Sequence, residues 1–393
     1  MLKRQFNGSR LKEGRIYRGY TITELAEHLG VSKQMISKYE NGKAIPTFEA
    51  LVGIVNLLEF PRDYFYEEPV EVKTGNTYFR SLLSTGKKDR EMQRDRVKYL
   101  SILRAMLEEY VDFPELDLPA IPDEHENDIE FAAKRVRDAW GLGTRPIKNL
   151  VYLMETKGFV LSSLKLDQKS IDAFGMQSEI NGKIFYTIVL GNDKNSFYRR
   201  QFSLAHELAH IILHDPFLNL EDLNKEEFKQ LENEANEFAA AFLLPKEEFI
   251  RDVSIHPTDL EYYKVLKKKW NVSIGMMVMR AYKLGIISQG SYQYMQRSIS
   301  KYGWRKQEPF DTIKEMAEPV SIRQAVELLI ENDYVTGEEL ISKLSTEYGL
   351  TLFRTDIEEL LAVDSGYLKS KVEAIPNNIV SLKDRLDKEQ KLN

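Results

Sequence analysis

The chain has no cysteine in 393 residues. That excludes disulfides, thiolate metal sites, iron–sulfur clusters and cysteine nucleophiles together, so any metal must be held by His, Asp or Glu. Histidine is scarce too, with six residues in all. No apolar run approaches the roughly 18 residues of a transmembrane helix, and the stretch Ala239–Leu244 is far too short. Met1–Phe6 has no apolar signal-peptide core, so a soluble cytoplasmic protein without a membrane partner is expected. Hydrophobic residues make up 42% and charged residues 30%, which suits a globular chain of two or three domains. Neither charge sign dominates: 55 Lys+Arg face 61 Asp+Glu, a net −6.

The average hides a local imbalance. From Met1 to Ile45, nine basic side chains (Lys3, Arg4, Arg10, Lys12, Arg15, Arg18, Lys33, Lys38, Lys43) oppose four acidic ones, a surplus of +5 that leaves −11 for the rest. This segment reads as short helices around Leu11–Tyr17, Thr21–Leu29, Ser32–Glu40 and Thr47–Leu58. Thr21 with Glu24 forms a capping box, Gly30 suits a helix stop, and Ser32 caps the next helix. Two helices joined by Leu29-Gly30-Val31 are what a helix-turn-helix requires, with Leu25, Ala26, Leu29, Val31, Ile36 and Tyr39 as its small core. The second helix then presents Lys33, Gln34, Ser37 and Lys38, with Asn41 and Lys43 just beyond. Gln pairs with adenine and Lys with guanine or phosphate, so these six are the candidate DNA contacts. The plainer reading is a helical packing module whose polar side chains face solvent.

The pattern Thr-x-x-Glu-Leu-Ala-x-x-Leu-Gly-Val-Ser, ending in Tyr39-Glu40-Asn41-Gly42-Lys43, resembles the helix-turn-helix of the lambda-repressor-like (XRE) regulators over about residues 8–66. The resemblance implies binding to a double-stranded DNA operator, and a homodimer on paired half-sites.

Downstream of Pro61 and Glu67-Glu68-Pro69, a helical linker is expected to about residue 127, ending in a connector marked by Pro114, Pro119 and Pro122. Helices follow around Ile129–Trp140 and Ile147–Gly158. Asn181-Gly182 between Met176–Ile180 and Ile184–Leu190 signals a type I′ hairpin. Helical patterns return over Phe202–Leu213 and Glu226–Leu244.

The sharpest chemical signal is His206-Glu207-Leu208-Ala209-His210. Histidines at i and i+4 lie one above the other on a helix face, so both can reach one divalent ion, and Glu207 can serve as general acid/base for the attacking water. The alternative is a core helix with two satisfied histidines. A catalytic zinc needs a third protein ligand, and without cysteine the candidates are Glu232 and Glu234. These lie about 200° apart around a helix and cannot both face the metal. Glu232 shares its face with Asn236, whose amide is placed to orient a ligating histidine, so Glu232 with Asn236 is the better pair and Glu234 is expected to face solvent or another partner. His214 lies near the same face as the two histidines but farther along, and reads as a surface or structural residue, with support of the site as the alternative. Tyr186, Tyr198, Arg199 and Arg200 are the available oxyanion stabilisers.

Arg200–His214, together with Glu232-x-Glu-Ala-Asn-x-Phe-Ala-Ala-x-x-Leu-Leu-Pro245, resembles the ImmA/IrrE metallopeptidases. Asp172-Ala173-Phe174-Gly175, Leu190-Gly191-Asn192 and the linker stretch Tyr78-Phe79-Arg80-Ser81-Leu82 fit the same pattern. Leu244 stands before Pro245 where many members have Met, a conservative change. The resemblance covers about residues 130–245, and the chain beyond about residue 290 matches much more weakly. It implies a gluzincin-like site with His206, His210 and Glu232 holding Zn2+ and Glu207 as catalytic residue. Its expected substrate is a helix-turn-helix repressor whose cleavage relieves repression in stress responses or mobile-element control. A regulator whose zincin domain senses metal, ligand or peptide without significant turnover is the competing reading.

The expected fold is thus mainly α with a small β-sheet. Residues 1–67 would form a five-helix helix-turn-helix domain, 68–127 a helical linker and 128–290 a zincin-like α+β metallopeptidase domain. A helical C-terminal region of unknown role, ending in a solvated tail, would occupy 291–393.

Overall fold

The computed structural model describes residues 5–79, 87–125, 127–164, 173–191, 196–215, 218 and 222–369. The linker residues 80–82, Asp172, Asn192 and the tail 383–393 lie outside this set. Local chemistry sets the first elements, α1 (Gly8–Tyr17), α2 (Ile22–Leu29), α3 (Lys33–Glu40) and α4 (Phe48–Leu58). Thr21 and Glu24 close a reciprocal capping box on α2, Gly30 ends it in the left-handed conformation at φ 65°, and the Ser32 hydroxyl accepts the Met35 N–H to start α3. A short 3-10 turn, Arg62–Tyr66, is the fifth helical element of the head. Leu25, Ala26, Ile36 and Tyr39 are buried, with Leu29 and Val31 half-buried against them.

Residues 68–127, read from sequence as a helical linker, contribute a strand, β1 (Lys73–Phe79), before the long helix α5 (Lys87–Leu107). Then come α6 (Ile129–Ala139), α7 (Leu150–Thr156), β2 (Val160–Leu164), β3 (Ala173–Ile180) and β4 (Lys183–Gly191). The sheet order is β1-β3-β4-β2, with β1 and β4 antiparallel to β3 and β2 parallel to β4. Asn181 and Gly182 join β3 to β4 with φ 51° and 80°, as a type I′ turn demands.

Both faces of this sheet are covered, so β3 and β4 are buried along most of their length, polar Gln177, Ser178 and Thr187 included. Phe174, Met176, Phe185 and Val189 face α5, and Ser101 of α5 hydrogen-bonds Thr187 of β4 at 2.8 Å. Ala173, Tyr186, Ile188 and Leu190 face the opposite core. There pack α8 (Phe197–Leu213), α9 (Lys225–Leu243), α10 (Lys246–Val253), α11 (Leu260–Trp270), α12 (Ile274–Lys283) and α13 (Gln289–Lys301).

The last described helices, α14 (Ser321–Glu331), α15 (Gly337–Tyr348) and α16 (Arg354–Leu360), return to the first core, so the head, α5, one sheet face and the C-terminal helices share one apolar interior. Polar clasps fasten this return. Buried Glu67 accepts from the Ser345 hydroxyl at 3.0 Å and the Thr351 N–H at 3.2 Å, while Arg18 pairs with Asp356 at 2.9 Å. Among the described residues no helix is long and apolar enough to cross a membrane.

Candidate metal centre and helix-turn-helix surface

Helix α8 is buried almost all round. Leu204, Ala205, Leu208 and Ala209 anchor it in the core, and Gln201 pins its start by donating to the Ile147 carbonyl at 3.1 Å and accepting the Leu150 N–H at 2.6 Å. The helix therefore holds His206, Glu207 and His210 on a fixed scaffold, each at most 2% exposed. Nε2 of His206 and Nε2 of His210 face each other at 3.1 Å. Helix α9, started by an Asn224–Glu227 capping box, brings Glu232 to them: its two carboxylate oxygens lie 3.4 Å from one imidazole Nε2 each.

Among the described residues this trio is the cluster able to hold a metal, with donor atoms all within 4.8 Å of one another. The donor set fits zinc: two imidazoles and a carboxylate are ligands that a hydrolytic zinc takes. Oε1 of Glu232 is buried and makes no hydrogen bond, as befits an oxygen meant for a metal. Electrostatics agree. Burial lowers the His210 pKa to about 4 despite the pull of Glu232, so its imidazole is neutral and able to ligate at pH 7. Burial pushes Glu232 upward, but its contacts with His206 and His210 outweigh that and hold it at about 2, an anion.

Glu207 lies against the sheet rather than in the trio. A Cβ at Gly175 of β3 would sit 3.4 Å from its Oε2, so the glycine leaves room for the carboxylate. Beside the site, a cleft of about 780 Å³ runs between α8, α9 and α12, lined by Phe202, Ser203, Asn236, Ala240, Met276 and Arg280 among others. Phe202 contacts the His206 ring at a centroid separation of 6.2 Å.

One sequence reading is corrected. The Asn236 amide donates to the Glu232 carbonyl at 2.6 Å, so it braces its own helix turn instead of orienting a histidine ring. His214, read as a surface or structural residue, is the latter: it is 9% exposed, and its Nδ1 lies 2.9 Å from Nδ1 of His210. Glu234, one of the two acidic candidates, lies 3.2 Å from His214 Nε2. The sequence signal for this pair was present, since His214 extends the i, i+4 row begun by His206 and His210. Of the candidate oxyanion stabilisers, Tyr186 donates to Gln177 at 2.7 Å, and Arg199 and Arg200 are engaged by the backbone carbonyls of Arg305 and Ala317.

Residues 154–282 match the model of the IrrE N-terminal-like domain, a peptidase M78 family, and residues 11–65 match a helix-turn-helix model. The chain joins a helix-turn-helix domain to an IrrE-like domain. Over 57 residues it is 39% identical to the SPbeta prophage-derived HTH-type transcriptional regulator YonR of Bacillus subtilis, covering 14% of this chain and 53% of that protein. Over 127 residues it is 26% identical to an HTH-type transcriptional regulatory protein of Pyrococcus horikoshii, covering 32% of this chain and 38% of that protein. The chain thus spans about half or less of the relatives it matches. Bacillus thuringiensis PlcR in complex with the peptide PapR7 and DNA aligns at 15% identity over 90% of this chain and 96% of that one, but a TM-score of 0.15 carries no fold assignment.

In the helix-turn-helix, Lys33, Gln34, Lys38, Asn41 and Lys43 are exposed and Ser37 is half-buried. The Asn41 amide donates to the Ser37 carbonyl at 2.7 Å and so finishes α3. The head's positive surplus is not all outward. Buried Arg15 pairs with Glu40 at 2.5 Å, which ties α1 to α3, and buried Arg10 pairs with Glu13 at 2.6 Å within α1. The lysines on and just after α3 remain at the surface.

Proposed function

We propose that this chain is a cytoplasmic DNA-binding transcriptional regulator, acting as a homodimer on a double-stranded operator, whose IrrE-like domain is a zinc-dependent endopeptidase that cleaves a helix-turn-helix repressor. The observation that carries the enzymatic reading is the convergence of the buried His206 and His210 Nε2 atoms of α8, the helix that also bears Glu207, with the Glu232 carboxylate of α9. His206, His210 and Glu232 would hold the ion. When bound, zinc supplies Lewis acidity, which makes water nucleophilic near neutral pH and polarises a peptide carbonyl. Glu207 accepts the proton of the attacking water and returns it to the leaving amine nitrogen. The cleft lined by Phe202, Met276 and Asn236 offers apolar contact and amide hydrogen bonds of the kind a peptide needs.

The DNA reading rests on the helix-turn-helix match and on exposed Lys33, Gln34, Lys38 and Lys43 at and beyond the start of α3. Operator affinity measured with and without zinc tests whether the two domains act together. Zinc content and cleavage in wild type against Glu207→Gln test the enzyme. A protein that binds zinc and shifts its operator affinity with it, yet leaves the same products as Glu207→Gln, is a sensor.

A further inference from the structure

A hydrogen-bonded line leads away from the metal-ligand trio and ends on α9. Nδ1 of His210 lies 2.9 Å from Nδ1 of His214, and Nε2 of His214 lies 3.2 Å from Oε2 of Glu234. The other oxygen of Glu234 accepts from the Gln230 amide at 2.9 Å. The His214 side chain is 4% exposed and that of Glu234 30%. Glu232 and Glu234 therefore reach different histidines of α8: Glu232 meets His206 and His210, and Glu234 meets His214.

Proton bookkeeping gives this line a direction. A neutral imidazole has one N–H and one lone pair, so in a pair of facing Nδ1 atoms one donates and the other accepts. Glu234 is acceptor-only when ionised, so the His214 proton belongs on Nε2, pointing at Oε2. Nδ1 of His214 is then the acceptor, and His210 must donate from its own Nδ1. That leaves the lone pair of His210 on Nε2, the atom that faces His206 Nε2 at 3.1 Å and Glu232 Oε1 at 3.4 Å. The reverse assignment would put a proton on His210 Nε2, where it would block ligation, and would turn the Nε2 lone pair of His214 toward a carboxylate. The first arrangement satisfies both the His210–His214 and the His214–Glu234 contacts, and it leaves His210 Nε2 with the lone pair that a metal requires.

We propose that His214 and Glu234 are positioning residues for the zinc site, fixing the ring and tautomer of His210 through a carboxylate–histidine–histidine relay. The inference rests on the zinc-site reading above. Hydrogen-bonded partners behind a ligand typically change metal affinity by about 10–100-fold when lost. His214 is the cap residue of α8, so its ring turns back on the last helical turn, where His210 lies four residues earlier.

The test is zinc affinity of the full chain by chelator competition, with the melting temperature of the zinc-free protein as a check on folding. His206→Ala defines loss of the site. His214→Phe keeps a ring but no acceptor, His214→Asn offers an amide oxygen near the Nδ1 position, and Glu234→Gln removes the charge at a partly exposed position. Expected are weakening of about 10-fold or more in His214→Phe, recovery to within a few-fold of wild type in His214→Asn, and intermediate weakening in Glu234→Gln. Wild-type affinity in His214→Phe and Glu234→Gln, with loss only in His206→Ala, would overturn the relay while leaving the zinc site intact. So would equal weakening in the Phe and Asn variants. A wild type that binds zinc no better than His206→Ala would overturn the zinc-site reading itself. If His214→Phe fails to fold, Glu234→Gln alone decides, since wild-type affinity there contradicts the relay.

Discussion

Gly175 lies where a side chain would meet Glu207: a Cβ there would stand 3.4 Å from Oε2 of Glu207 and 3.3 Å from Cγ1 of Ile188. Strand β3 alternates, so Phe174 and Met176 face α5 while position 175 faces α8 and its glutamate. Gly175→Ala brings its Cβ only to ordinary contact distance of Glu207 and should keep turnover near wild type, whereas Gly175→Val should lower it by crowding Glu207, with zinc content unchanged because the ligands sit on α8 and α9. Steady-state rates and metal analysis on the same samples check this. Loss of zinc alongside activity would mean that the glycine serves the fold and not the carboxylate.

The head's contacts with DNA separate into two kinds. Lys38 is exposed on α3, and if it neutralises a phosphate, Lys38→Ala should weaken binding to all sequences alike and lower the slope of log affinity against log salt by about one. Gln34→Ala should leave that slope unchanged and cost about 1–3 kcal/mol of discrimination at one base pair. Anisotropy titrations at several salt concentrations, against the selected operator and a scrambled duplex, distinguish them. Equal losses on both duplexes for Gln34→Ala would remove it from base reading.

How much was legible in the sequence depended on the range of the interaction. The Thr21–Glu24 box, the Gly30 stop, the Asn181-Gly182 turn and the spacing of His206 and His210 are set within a few residues, and each is found where the sequence put it. What failed was long-range. Nothing local announces that residues 73–79 add a strand to a sheet built a hundred residues later, or that helices beyond residue 320 share the head's core. Asn236 shows a related limit: it shares a helix face with Glu232, but its amide donates to the Glu232 backbone carbonyl one turn back.

Glu67 joins the head to the C-terminal helices while only 6% exposed, accepting from Ser345 and from the Thr351 N–H. Glu67→Ala leaves those donors without their acceptor and should cost about 1–3 kcal/mol. Because the head, α5 and α14–α16 share one core, the loss should appear as a lower midpoint of one cooperative transition, not as separate melting of the C-terminal helices. Differential scanning calorimetry checks both points. An unchanged midpoint would reduce the clasp to a surface contact.

Asp95 on α5 provides a pH signature. Burial, reinforced by nearby Glu13, raises its carboxyl to about 7 against partial opposition from Lys98 and Arg94. The folded state thus keeps a proton that the unfolded chain releases near pH 4, so this residue's contribution to stability falls as pH rises from about 4 to 7 and is constant above. Asp95→Asn should flatten that slope and stabilise the protein at pH 8, by an amount on the order of 1 kcal/mol or more. Urea midpoints at pH 5 and pH 8 measure it. A variant with the wild-type slope would place the titration elsewhere.

The central claim is that Glu207 moves the proton in a zinc-dependent cleavage. The most direct measurement compares new protein N-termini in cells carrying the wild type and Glu207→Gln, with zinc content determined on both purified proteins. Expected is one bound zinc in each, and at least one new N-terminus, within a helix-turn-helix protein, that only the wild type generates. Equal zinc with identical N-termini would contradict the peptidase and leave a metal-sensing regulator.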